Sequence, residues 1–266
     1  MNRALIHKVE TFVKSQHIPV MGAASAAEIN KKAPPGFRPE DLLTGAKTVI
    51  ILAKPLPLAV FLTDDKYKNM FYVRSFATYY AIMDKAANVI SLMLEAAGYL
   101  SLPVPSYSPI RFYDGEPRGL LSLKHAAEIA GLGKMGKNTL LIHPEYGNLL
   151  RLGGLVTTMD WPVAEKKEFP GLCPASCNKC EKACPVGALD NRRINKSKCL
   201  GNCIQHMMIP SSRLLSGLGW LLARNQQLTD FMERFTYNFI GNYGINCKEC
   251  LVNCIHFPKP GRKKAL

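Results

Sequence analysis

The chain has 266 residues, 47% of them hydrophobic, and 34 Lys and Arg against 20 Asp and Glu give a formal net charge of +14. That length buries one large core, or a core with a small satellite, and the longest apolar stretch, Leu214 to Ala223, is too short to span a bilayer and holds two glycines, so no membrane role is expected. Arg3, His7, Lys8 and Glu10 interrupt the apolar residues of the N-terminus, so no secretory signal is expected and a cytoplasmic location is.

In chain order, Leu5, Val9, Phe12 and Val13 fall at helical spacing over residues 1–16, and the helix should stop before Pro19. A proline-rich loop follows at Ala33–Pro39. Thr48 to Ala53 reads as a buried strand ended by Pro55 and Pro57. Thr78 to Ala97 predicts an amphipathic helix closed by Gly98, with Met83, Ala87, Ile90 and Leu94 as its buried stripe. Residues 101–119 hold four prolines and predict an ordered irregular segment of the kind that carries function. Ser122 caps a predicted helix to Ala130, with Gly131 ending it; strands follow at Thr139–His143 and at Leu149–Thr158, the latter broken by Gly153-Gly154. Strands mixed with long helices predict an α/β or α+β layer structure for residues 1–162.

Residues 163–266 are different, because all nine cysteines lie there. An odd number of cysteines in a cytoplasmic chain argues for metal ligation over disulfides. Cys173, Cys177, Cys180 and Cys184 form a C-x3-C-x2-C-x3-C-P run, and Cys247, Cys250 and Cys254 a C-x2-C-x3-C run. A cubane 4Fe-4S cluster needs four thiolates, and in two-cluster ferredoxins the Cys before Pro serves the other cluster. Crossing the loops gives Cys173, Cys177, Cys180 and Cys254 to one cluster. The other receives Cys184, Cys199, Cys247 and Cys250, with Cys203 open as the replacement for Cys199. A zinc site built from Cys177-x2-Cys180 and Cys247-x2-Cys250 is the alternative, and it leaves five cysteines unused. Between the runs, 207–240 predicts a helical insert. Two oxidised clusters would add roughly four negative charges, leaving a basic surplus of about ten that could attract RNA, an acidic redox partner or a phosphate-bearing cofactor. The basic tail, Lys259 to Lys264, reads as a solvated end.

Gly131-Leu-Gly133-Lys-Met-Gly136-Lys137 matches G-x-G-x-x-G by letter, yet it follows a helix and enters a strand, the reverse of a dinucleotide-binding fold. A simple tight turn and a close backbone approach to a ligand or cluster both remain open. The stretch Ala127 to Ile142, with Tyr146-Gly147 and the Cys-Pro run, resembles the epoxyqueuosine reductases, as do Arg38 to Ile51 and Gly241 to Cys250. The resemblance implies a nitroreductase-like α/β region followed by a ferredoxin-like two-cluster module, related to reductive dehalogenases, with cobalamin held between them. It also implies tRNA as substrate. By analogy Gly133, Gly136, Lys137 and Asn138 would line the cofactor site. The family's Asp-Ser-x-Pro segment, whose Asp is the proposed proton donor, corresponds to Pro105-Ser106-Tyr107-Ser108-Pro109, which has no Asp. The family's C-terminal helical repeats, which help engage tRNA, are not expected in this chain.

The expected function is an oxidoreductase passing electrons from a ferredoxin- or flavodoxin-type donor through two 4Fe-4S clusters to a corrinoid or substrate. The alternative is a non-catalytic carrier delivering electrons to a partner corrinoid enzyme. Proton donors for a reduced product would come from Tyr107, Tyr113, Asp114, Glu116 or Lys124. His125, a lone helical histidine, reads as a packed or surface residue.

Overall fold

The computed structural model describes residues 2–107, 110–113, 116–164, 168–208 and 247–259. Most of the predicted insert 207–240, together with Asp114 and most of the basic tail, lies outside them. The elements run α1 (Arg3–Ser15), β1 (Val20–Ser25), α2 (Ala26–Lys32), α3 (Pro39–Leu42), β2 (Thr48–Pro55), a 3-10 turn (Leu58–Phe61), α4 (Asp65–Glu95), β3 (Ser101–Val104), β4 (Ile110–Tyr113), β5 (Glu116–Gly119) and α5 (Leu123–Ile129). After them come β6 (Lys134–Met135), β7 (Leu141–Ile142), β8 (Leu150–Thr157), α6 (Lys179–Lys182), β9 (Leu189–Asp190), β10 (Arg193–Ile194), α7 (Lys196–Met208) and α8 (Glu249–Val252). Among the described residues no helix is long and apolar enough to cross a membrane.

A four-stranded antiparallel sheet in the order β1-β2-β8-β3 forms the centre. Because successive side chains of a strand point to opposite faces, the unbroken apolar run of β2 divides between two cores. Val49, Ile51 and Ala53 join α2 and α5 on one face, while Ile50 and Leu52 join α1 and α4 on the other. A sheet covered on both faces explains why β2 reads as continuously hydrophobic instead of alternating. The stripe Met83, Ala87, Ile90 and Leu94 is fully buried. Burial of each of its larger members stabilises the sandwich by about 1.5–3 kcal/mol.

Four expectations change. The central helix begins at Asp65, well before Thr78. Residues 101–119 are not wholly irregular: β3 joins the sheet edge and β4 pairs with β5. The strand expected at Thr139–His143 is only two residues long, since Thr139 turns the chain with a positive φ of 56°. Finally, Gly153-Gly154 does not break β8. A Cβ on Gly153 would come within 2.6 Å of Ser106 Oγ and 2.7 Å of Met83 Cβ, and one on Gly154 within 2.3 Å of the Ile50 carbonyl oxygen. Gly153 is what allows α4 and Ser106 to approach the strand, and Gly154 what allows the Ile50 backbone of β2 to do so.

A third core ties the cysteine-bearing segment to this sandwich. Leu251 is buried with Leu56, Phe61, Tyr72, Phe76 and Leu149, and Phe257 packs against the same group, edge-on to Phe61 at 5.4 Å.

Candidate functional site

The turn after α5 carries Gly131 at φ 71°, and a Cβ on Gly133 would lie 2.3 Å from the Ile142 carbonyl oxygen, so only glycine lets β6 lie against β7. The same turn aims Lys137 and Asn138 away from the sandwich. The Lys137 backbone N–H donates to Cys173 Sγ at 3.2 Å, and its Nζ donates to the carbonyls of Ala175 at 2.7 Å and Cys177 at 2.8 Å. Cys180 sits on α6, and Cys254 follows α8. Cys173, Cys177, Cys180 and Cys254 line one cavity, closed from the sandwich side by Lys137, Asn138 and Ile142. Burial pushes the Cys180 and Cys254 thiols up, and the neighbouring thiols push them further.

The remaining cysteines gather on Cys250. Its thiol is pushed up to about 12, first by burial and then by Cys199, Cys247, Cys180 and Cys184. Asn195 accepts from the Lys198 N–H and so opens α7, which presents Cys199. Cys184 Sγ accepts the Ala188 N–H at 3.2 Å. Asn138 Nδ2 donates to the Cys250 carbonyl at 3.2 Å and Asn148 Nδ2 to the Leu251 carbonyl at 2.9 Å, which docks α8 on the sandwich. The Cys203 side chain lies outside the described residues.

The donor chemistry suits iron–sulfur clusters. Among the described residues no three His, Cys, Asp or Glu side chains converge on a point that could hold a single ion. The zinc alternative would draw Cys177 and Cys180 together with Cys247 and Cys250. Here Cys177 and Cys180 share a cavity with Cys173 and Cys254, and backbone N–H groups point at several of the sulfurs, those of Cys173, Cys184 and Cys254 among them, the hydrogen bonding that tunes clusters.

The residues put forward for proton supply are scattered. Tyr107 stacks on Tyr80 with ring centroids 5.7 Å apart at 16° and meets Phe76 edge-on. Glu116 pairs with Lys196 at 2.9 Å and Arg118 at 3.5 Å. Lys124 Nζ donates to the Thr139 carbonyl and lies electrostatically beside Cys199 and Cys250. Tyr113 is on β4, with its backbone paired to Glu116, while its side chain and Asp114 fall outside the described residues. His125, exposed, shares a 2.6 Å contact with Ser122 Oγ.

Sequence reasoning missed Asp84 and Arg151. Asp84, on α4, accepts from the Ser106 N–H at 2.9 Å and from its hydroxyl at 2.6 Å, fixing the segment that carries Tyr107. An Asp in the middle of a predicted helix gives no local signal of that contact. Burial raises the Asp84 carboxyl above its ordinary value, while the two Ser106 bonds pull it back. A raised folded value favours the fold at pH below the ordinary carboxylate range, and that contribution is lost as pH rises through the raised value. Asp84→Asn keeps an acceptor for Ser106 and should flatten the decline in denaturant midpoint from about pH 4 upward. A mutant with the parent's slope over that range would refute this.

Comparison with known proteins follows the same lines. No protein-family model matches the chain. An epoxyqueuosine reductase of Listeria monocytogenes is 44% identical over 88 residues, 33% of this chain and 22% of that protein. One of Bacillus anthracis is 26% identical over 196 residues, 72% of this chain and 48% of that protein. The matched stretches thus span about half or less of these relatives' length. A structure of epoxyqueuosine reductase with an epoxyqueuosine-modified tRNA stem loop superposes with a TM-score of 0.61 at 20% identity, over 96% of this chain and 66% of that one. A reductive dehalogenase structure described as B12-dependent gives 0.56 at 14% identity, over 92% of this chain and 37% of that one. At such identities these structures establish a shared fold. In sequence over part of its length and in fold, the chain is similar to the epoxyqueuosine reductases.

Proposed function

We propose that the chain is an iron–sulfur reductase of the epoxyqueuosine reductase kind, with residues 1–162 as the cofactor and substrate region and 163–266 as a ferredoxin-like module with two 4Fe-4S clusters. One observation carries this reading: Cys254, from the far side of the 207–240 segment, lines the same cavity as Cys173, Cys177 and Cys180. Cys184, Cys199, Cys247 and Cys250 are the ligands of the second cluster. When bound, the clusters supply one-electron storage and transfer.

The chain's own residues hold and shield that chemistry. Lys137 clamps the first cysteine loop by its carbonyls, Asn138 and Asn148 clamp α8, and the Leu251 core excludes water between the module and the sandwich. Lys137 and Asn138 are therefore engaged at the thiol cavity, and Gly133 at Ile142, so this block positions the clusters. Tyr107, held through Ser106 by Asp84, is the proton-supplying candidate on the sandwich side. The electron donor would be an acidic ferredoxin- or flavodoxin-type protein, attracted by the basic surplus. The substrate class would be tRNA, with binding that survives salt able to abolish binding of an unrelated polyanion.

The second reading, a carrier that serves a separate corrinoid enzyme, is favoured by the absence of Asp from Pro105–Pro109. Anaerobic reconstitution with iron, sulfide and hydroxocobalamin separates them. Expected are about eight irons and one cobalt per chain. Eight irons without cobalt selects the carrier, and zinc without acid-labile sulfide overturns both.

A further inference from the structure

Two cations lie against the segments that carry the second cysteine set, Lys124 through the turn at Thr139 and Arg151 through Tyr72, which shares a core with Leu251 next to Cys250, and no described carboxylate pairs with either. Arg151, on β8, is only 7% exposed. Its NH1 donates to the Leu150 carbonyl at 3.2 Å and its NH2 to Tyr72 Oη at 3.0 Å, its Cζ lies 5.5 Å from the Phe76 ring centre, and its Nε is buried without a partner among the described residues. Lys124 has one described acceptor, the Thr139 carbonyl at 2.8 Å. Thr139 adjoins Asn138, whose amide holds the Cys250 carbonyl, so adjacent residues of one turn hold the ammonium and the Cys250 segment. The groups electrostatically coupled to Lys124 are Cys199, Cys250 and another cation, Lys196, and those coupled to Arg151 are Tyr72, Tyr80 and Cys250.

A guanidinium stays charged when buried, and a buried charge without an opposite one is strongly unfavourable. Neutral thiols do not offset it. Thiolates ligating iron would, because a cluster with four of them is an anion. We propose that Arg151 and Lys124 are the counter-charges of the second cysteine set, positioning residues that hold its cluster and raise its one-electron reduction potential. This rests on the two-cluster reading above and assigns Lys124 a role other than proton supply. In the step concerned, a low-potential donor, dithionite in the test, loses one electron and the cluster gains it. No bond forms or breaks and no proton moves. The site becomes more negative by one charge, which a fixed nearby cation stabilises.

Anaerobically reconstituted full-length protein, with Lys124→Met, Lys124→Arg, Arg151→Met and Arg151→Lys variants, is titrated with dithionite and mediators while both cluster signals are followed. The methionine variants should retain about eight irons and shift one cluster's reduction equilibrium at least tenfold toward the oxidised form, about 59 mV for one electron. The other cluster should not move, and the charge-conserving variants should stay near the parent. The inference is overturned if iron is retained and neither equilibrium shifts by twofold, or if Lys124→Arg shifts it as far as Lys124→Met. Should the Arg151 variants fail to fold, the Lys124 pair decides alone. A parent protein without iron would instead remove the two-cluster reading itself.

Discussion

Replacing Cys254 by alanine is expected to remove the same cluster as replacing Cys180, about four of about eight irons, and the double variant should lose no more than either single one. The two cysteines are far apart in sequence, yet both line the cavity with Cys173 and Cys177. Cys250→Ala should cost the other four irons, because the cysteines that act most strongly on its thiol are Cys199 and Cys247. Combining Cys250→Ala with Cys254→Ala should then leave almost none, although the two lie only four positions apart in sequence. Iron and acid-labile sulfide analysis reads the pattern directly. If Cys254 and Cys250 variants lost the same irons, the loops would not be crossed and the ligand sets would have to be redrawn by sequence proximity.

Gly147→Ala is expected to loosen that first set without touching a cysteine. Gly147 has φ 56°, its backbone exchanges two hydrogen bonds with His143, and an added Cβ would sit 1.9 Å from the His256 carbonyl oxygen. The left-handed backbone costs an alanine about 1 kcal/mol and the collision a further 1–3 kcal/mol or more. Gly147 lies outside the two sheet-face cores, so the cost falls mainly on docking residues 254–257. With each 1.4 kcal/mol worth a factor of ten, the first set's iron should be lost to a chelator about 30-fold faster or more. Gly36→Ala is the control: its φ is 82°, but nothing lies within 4 Å of the added carbon. It should lower stability by about 1 kcal/mol and leave iron retention unchanged. Equal chelator sensitivity in the two variants would show that the 147–256 contact does not hold the cysteine segment.

The parts visible in the sequence are those whose signal is local. The helical spacing of Leu5, Val9 and Val13, the stripe Met83 to Leu94 and the apolar run at Thr48 each report burial through their own periodicity, and the structure buries them. The cysteine spacing likewise suggested which thiols could share a site. What stayed hidden depends on partners remote in sequence. Val20 to Ser25 is rich in small residues and becomes a strand only by pairing with β2. Gly153-Gly154 reads as an interruption until Met83, Ser106 and the Ile50 carbonyl are seen pressing on it. The glycine block stands out in the sequence, but that Lys137 reaches the carbonyls of Ala175 and Cys177 follows only from the fold. Arg151 on a strand and Asp84 on a helix carry no pattern of their own.

Lys137, Asn138 and Asn148 take hold of the cysteine segments by the carbonyls of Ala175, Cys177, Cys250 and Leu251. Main-chain oxygens are supplied by every amino acid. Apart from the thiols, the glycines, Leu251, Phe257, and Arg192 and Lys196, which bond the Met135 carbonyl and Glu116, the loops are therefore free to drift in composition while much of their grip is inherited from three side chains on the sandwich. Mutational tolerance should be wide on one side of this boundary and narrow on the other.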